Sequence, residues 1–283
     1  MKKYLVDDTE YYVTATGDPT NPVLILAHGF PFDSRLYEPC LERLATKFYC
    51  VAPDLRGFGK TPLGSNGHNS LGAPRVRMGR FADDLAILGS ELNCELGRHN
   101  EKIYLCGLSM GGYILLEFFR RRPQMIAGAI FCDSNAIADA PERAQSRLYL
   151  AETIDSFGVQ NLADNMVPTL LAPSTLKNKP RVLEALRSMM TSQSPLGIAA
   201  GARGMAVRRN LVDLLPNISA PVLVFGGEDD KLSPKESLDA IAAAIPNASR
   251  ATIPDAGHVP PLENPDAFAD AVLEWYERIK KVS

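Results

Sequence analysis

Ile103-Tyr104-Leu105-Cys106-Gly107-Leu108-Ser109-Met110-Gly111-Gly112-Tyr113 is the stretch whose reading decides the fold. Residues 103–106 are a short apolar run of strand length, and residues 110–121 carry apolar side chains at helical spacing. Between them Gly107-Leu108-Ser109-Met110-Gly111 spells G-x-S-x-G, the pattern of a sharp strand-to-helix turn that holds a serine oxygen clear of the backbone. The pentapeptide alone would arise by chance in about one such chain in ten. The strand running into it and the helix running out of it are the context that gives it meaning, and they make Ser109 the candidate nucleophile.

The same alternation extends in both directions. Further strands are expected at 23–27, 48–52, 127–132, 222–225 and 251–253, several as continuous apolar runs of the kind that lie on a sheet covered on both faces. A stretch at 11–13 reads as an antiparallel edge strand. Helices are expected at 82–92 and 110–121. Ser233-Pro234-Lys235-Glu236 reads as a capping box opening a helix to about Ile245, and Asn264-Pro265-Asp266 opens the last helix. Strands alternating with helices predict an α/β fold with a mostly parallel central sheet. Residues 135–215 break the rhythm with helical patterns and no strand, so the expected organisation is core 1–134, helical cap 135–215 and core 216–283. Residues 63–80, rich in Gly, Ser and Asn, read as a mobile loop beside the site.

Composition narrows the function. A chain of 283 residues, 46% hydrophobic, buries a full core. The net charge of -3, with basic residues dispersed, excludes a nucleic-acid partner. No apolar stretch is long enough for a signal peptide or a membrane span, so a cytoplasmic protein that does not bind membrane is expected. Five cysteines without metal-ligand spacing, three of them (Cys50, Cys106, Cys132) in strand-like runs, are expected to be buried free thiols.

A serine hydroxyl needs a positioned base, usually a histidine oriented by a carboxylate. Of the four histidines, His68 and His99 lie in polar loops and His28 ends a strand, which suits solvated or structural roles. His258 follows the last strand and precedes the last helix, at the sheet edge where a loop would present it. The acid then lies between residues 109 and 258. The strand 222–225 ends in Gly226-Gly227-Glu228-Asp229-Asp230, where the offset from the following helix favours Asp230 over Asp229; Asp133, at the end of the preceding strand, is the remaining alternative. Acyl transfer also needs backbone donors for the developing oxyanion. Met110, following the serine at a helix N-terminus, supplies one N–H, and Phe30 in His28-Gly29-Phe30-Pro31 supplies the second.

With these residues on the page the chain resembles the α/β-hydrolase superfamily over nearly its whole length, and within it 3-oxoadipate enol-lactonases and small carboxylesterases. The resemblance rests on His28-Gly29-Phe30-Pro31, on Pro53-Asp54-Leu55-Arg56-Gly57-Phe58-Gly59-Lys60-Thr61, on Gly107 to Tyr113, and on Gly257-His258 followed by Glu263-Asn264-Pro265. It implies a serine hydrolase acting on a small-molecule ester or lactone through an acyl-enzyme, with no metal or organic cofactor, as monomer or homo-oligomer. The Asp54–Thr61 turn is architectural in such relatives. Serine at the elbow argues against the dehalogenase and epoxide-hydrolase branches, which place aspartate there. A carbon-carbon bond hydrolase, a perhydrolase and a non-catalytic ligand receptor remain alternatives on the same residues. Enol-lactonases of this group carry a tryptophan early in the cap, whereas Pro141-Glu142-Arg143-Ala144-Gln145-Ser146-Arg147 has none and the single tryptophan is Trp275. Arg143, Arg147 and Arg203 could meet a substrate carboxylate, although cap arginines are more often surface residues.

Overall fold

Apolar runs become strands because every second side chain of such a run can be buried on one face of a sheet and its neighbours on the other. In the computed structural model, which describes residues 1–281, they form β1 (Lys2–Val6), β2 (Thr9–Thr16), β3 (Val23–Ala27), β4 (Tyr49–Pro53), β5 (Ile103–Leu108), β6 (Ile126–Cys132), β7 (Val222–Gly227) and β8 (Ala248–Ile253). One sheet holds them in the order β1-β2-β4-β3-β5-β6-β7-β8, with β1–β2 and β2–β4 antiparallel and every other pair parallel. Along β3, Val23, Ile25 and Ala27 join one apolar cluster while Leu24 and Leu26 join the other; β7 divides Val222 and Val224 from Leu223 and Phe225 in the same way.

Helices cover both faces. They are α1 (Glu38–Leu44), α2 (Met78–Glu95), α3 (Met110–Arg121), α4 (Pro141–Phe157), α5 (Val159–Leu170), α6 (Pro173–Asn178), α7 (Pro180–Thr191), α8 (Pro195–Ala206), α9 (Lys235–Ala244), α10 (Pro260–Glu263) and α11 (Pro265–Lys280). Phe81, Leu85 and Leu88 of α2 and Ile114 and Phe118 of α3 fill one core, and Leu41 and Leu44 of α1 with Phe268, Val272 and Trp275 of α11 fill the other. Burying each such side chain contributes about 1.5–3 kcal/mol. Between β6 and β7 the chain forms α4 to α8, with no strand among them. Among the described residues no helix is long and apolar enough to cross a membrane.

The sheet order locates the crevice. From β3 the chain crosses to β4 on one side, and β5 then lies on the other side of β3, with β6 beyond it. The loops leaving β3 and β5 therefore diverge at their carboxyl ends, which is where doubly wound sheets open a ligand site.

Four expectations change. β1 pairs with β2 as the edge strand, so the stretch around 11–13 belongs to a longer strand inside the sheet. β1 hides from a periodicity search because Lys2, Lys3 and Leu5 are exposed and only Val6 is buried. Helix α2 begins at Met78, ahead of 82, which takes residues 78–80 out of the expected loop. What remains of that loop is tied down at both ends: Ser65 Oγ and Asn66 N donate to Asp8 Oδ2, each at 2.7 Å, and Val76 N donates to Ala200 O at 3.1 Å. Ser233 does not cap a helix. Pro234 occupies the N-cap of α9, and Ser233 Oγ instead donates to Asp133 O at 2.8 Å, a tertiary partner that outcompetes the local one. Asn264 does cap α11, its Oδ1 accepting from Ala267 N.

Candidate active site

The turn after β5 carries Ser109 at φ 54° and ψ −110°, outside the regions open to most L-residues. Three contacts hold that strained conformation. Ser109 N donates to Cys132 O at 2.9 Å, Gly112 N donates to Ser109 O at 2.9 Å, and Ser134 Oγ donates to the same carbonyl at 2.9 Å. The turn also brings α3 hard against β3. A Cβ on Gly111 would lie 2.2 Å from Ala27 O, so only glycine fits there.

His258 sits in the loop after β8 and Asp230 in the turn after β7, and the sheet delivers them to each other: His258 Nδ1 lies 2.9 Å from Asp230 Oδ2, with side-chain exposures of 5% and 1%. Asp230 also accepts from Leu232 N at 2.8 Å and Ser233 N at 3.2 Å. Burial works against its charge, but the neighbouring His258 and the converging donors outweigh burial and hold its carboxyl below the usual range. An ionised Asp230 makes Nδ1 the donor of the imidazole and leaves Nε2 free to accept a proton. Asp229, exposed, points its carboxylate to water while its N–H donates to Ala256 O. Among the described residues Ser109 Oγ makes no hydrogen bond, so serine and histidine stand on one sheet edge unjoined, a common geometry before substrate arrives.

The oxyanion candidates come from the two diverging loops. Phe30 precedes a cis peptide to Pro31. Its N–H finds no acceptor among the described residues, and its ring packs edge-on against Phe58 at 6.0 Å. Met110 N–H is the first of α3, one of the donors a helix leaves without an internal partner.

The other histidines take structural or surface positions. Buried His28 faces Gly29 O through Nδ1 at 2.8 Å and accepts from Leu55 N through Nε2 at 3.0 Å, and burial lowers its pKa, so it stays neutral. His68 is half-buried and His99 exposed. The cap arginines are occupied as well. Arg143 and Arg147 reach Asp139, at 3.5 and 2.5 Å, and Arg203 donates to Pro74 O and Ala151 O. Cys40, Cys50, Cys106 and Cys132 are buried free thiols, and burial pushes the Cys50 thiol up to about 12; Cys94, in the last turn of α2, is exposed, contrary to expectation.

Two carboxylates went unassigned or underused in the sequence reading. Glu263, 2% exposed, accepts from Gly257 N at 2.7 Å through Oε1 and from Ala172 N at 2.8 Å through Oε2. With His258 N donating to Leu170 O at 2.7 Å, it fastens the histidine loop to the helical insertion. The signal was present in Val259-Pro260-Pro261-Leu262-Glu263, a lone carboxylate closing an apolar turn. Asp133 is fully buried, and one of its carboxylate oxygens lies within 4.8 Å of ligand atoms on both Asp230 and His258.

A family model described as the alpha/beta hydrolase family matches residues 24–271. The chain belongs to the α/β-hydrolase family. Among solved structures this hydrolase is similar to a thermophilic esterase from Thermogutta terrifontis, at 37% identity over 99% of both chains and a TM-score of 0.90. It shares its fold with the enol-lactonase from Burkholderia xenovorans LB400, at 23% identity, 98% of this chain, 100% of that one and a TM-score of 0.86. A putative non-heme bromoperoxidase from Mycobacterium tuberculosis is 28% identical over 95% of this chain and 98% of its own. Family and relatives together support hydrolase activity.

Proposed function

We propose that this hydrolase cleaves a carboxylic ester or lactone through an acyl-enzyme formed on Ser109. The observation that carries the reading is the 2.9 Å bond from His258 Nδ1 to an ionised, buried Asp230, on the sheet edge that also presents the Ser109 turn. His258 Nε2 takes the hydroxyl proton as Ser109 Oγ attacks the carbonyl carbon, and Asp230 holds the ring in the required tautomer and stabilises the imidazolium. The carbonyl oxygen becomes an oxyanion between the N–H groups of Phe30 and Met110, where one such donor contributes about 3–4 kcal/mol to the transition state. The imidazolium then protonates the leaving alkoxide. Water, deprotonated by the same histidine, attacks the acyl-enzyme and releases the acid. In a lactone both products remain one molecule.

The 37% identity to an esterase over the whole chain supports ester hydrolysis over carbon-carbon cleavage. Residues 135–215 act as the cap that selects the substrate, and their contacts with the histidine loop through Leu170 and Ala172 suit that role. Steady-state turnover of a panel of nitrophenyl esters and lactones tests the proposal. Wild-type enzyme is expected to turn over at least one short-chain ester many times, and Ser109→Ala to lose about 10³-fold or more in kcat. Full activity in Ser109→Ala would overturn it.

A further inference from the structure

Asp230 has a second carboxyl group beside it. Asp133 closes β6 at φ 46°, its N–H donating to Phe225 O at 3.0 Å and its carbonyl accepting from Ser233 Oγ. That backbone turns the carboxyl under β7, where Gly227 N donates to Oδ1 at 3.1 Å and Cys132 Sγ lies 3.2 Å from Oδ2. The space exists because residue 226 is glycine: a Cβ there would sit 2.2 Å from Asp133 Oδ1. The carboxyls of Asp133 and Asp230 and a ring nitrogen of His258 form one cluster closed within 4.8 Å.

Two buried carboxylates within 4.8 Å of each other repel with little water between them, which favours a single charge on the pair at neutral pH. The donor sets decide which one keeps the charge. Asp230 receives His258 Nδ1–H and the N–H groups of Leu232 and Ser233, whereas Asp133 receives one backbone N–H and a weak thiol donor. We propose that Asp133 is a positioning residue, a neutral carboxylic acid whose proton is donated to Asp230 and so holds that carboxylate aimed at His258. The electrostatics of the two sites favour the same balance. Complete burial, and next the charge of Asp230, push the Asp133 carboxyl well above the usual carboxylate range, while Asp230 is held below it. Among the described residues no further His, Cys, Asp or Glu joins the three, and the Cys132 thiol beside Asp133 is itself pushed up by burial.

The effect on turnover rests on the Ser109 reading above; the protonation state does not, so two readouts separate the claims. Infrared difference spectra of wild type against Asp133→Asn, taken at neutral pH, are expected to contain a protonated-carboxyl C=O band belonging to wild type, and the same band should persist in Ser109→Ala. Its absence would overturn the proposal whatever the enzyme hydrolyses. In ester kinetics Asp133→Asn keeps a neutral donor and a residue type that tolerates positive φ, so kcat should stay within about threefold of wild type. The acid limb of kcat/KM, followed from about pH 5 to pH 9, should not move. Asp133→Gly also suits the backbone but removes the donor; with the fold checked by circular dichroism, its kcat should fall about ten- to a hundredfold. An acid limb displaced downward by about one unit or more in Asp133→Asn would mean that a negative charge had been removed, and would contradict a neutral Asp133. Undiminished kcat in a folded Asp133→Gly would contradict the positioning role.

Discussion

Ser109 at φ 54° is one of five non-glycine residues held at positive φ among the described residues, and Asp133 and Asp255 are two of the others. Each costs about 1–3 kcal/mol, so such residues persist where the surroundings enforce them. Ser109, Asp133 and Asp255 lie at the carboxyl edge of the sheet, at the turns leaving β5, β6 and β8, whereas Asp7 and Asn100 lie in turns elsewhere. Strain at Ser109 lifts the hydroxyl off the backbone, and strain at Asp133 folds its carboxyl beneath Asp230. At this scale the choice of acid is directly testable. Asp230→Asn should lower kcat by about 10³- to 10⁴-fold, because an amide favours the wrong imidazole tautomer, whereas Asp229→Asn should stay within about threefold of wild type. The reverse ranking in ester kinetics would reassign the acid. That Ser109, His258 and Asp230 stand out as candidates by inspection follows from chemistry tied to short local patterns: a glycine-flanked turn, a loop after a strand, an offset from a helix start. Asp133 and Glu263 could not be given their full roles, because each acts through partners about 90 residues or more away, Gly227 for the first and Ala172 for the second.

Among the elements, those with one environment along their length were the easiest to read. β3 and β7, covered on both faces, appear as unbroken apolar runs, and α11 is marked at its start by a side-chain cap. β1 was missed because an edge strand with lysines outward carries almost no buried side chains. The Ser233 pattern misled because a local capping motif cannot reveal that a carbonyl from β6 will compete for its hydroxyl. The loop of His258 is an element in its own right, stapled by Glu263 to α6 through Ala172 and by its own N–H to the end of α5. Glu263→Gln keeps the shape but turns one acceptor into a donor facing an N–H, a loss of about 1–3 kcal/mol. Urea unfolding should show that loss together with a fall in kcat. A variant with unchanged midpoint and unchanged kcat would mean the staple is idle.

Across the whole molecule the sheet order does what no single residue can, bringing the loops that leave β3, β5, β6, β7 and β8 to one edge of the sheet. The carboxyls gathered there also set how stability follows pH. Asp230, with its folded-state pKa lowered, contributes stability that is present above its unfolded value of about 3.9 and is lost as pH falls through the folded value. Asp133 runs the other way. Its folded-state pKa is raised, so its contribution is complete below about pH 3.9 and declines with rising pH, by about 1.4 kcal/mol per unit until the folded value is reached. Asp133→Asn does not titrate. Its melting temperature should therefore gain on wild type steadily between about pH 4 and pH 7, and a constant difference across that range would show that Asp133 ionises in the folded state. The central claim, that Ser109 forms a covalent acyl-enzyme, is tested most directly by treating the intact protein with a fluorophosphonate and locating the adduct by mass spectrometry. One equivalent on Ser109, absent from Ser109→Ala and strongly slowed in His258→Ala, is the result the account predicts; no adduct, or one on a residue other than Ser109, would contradict it.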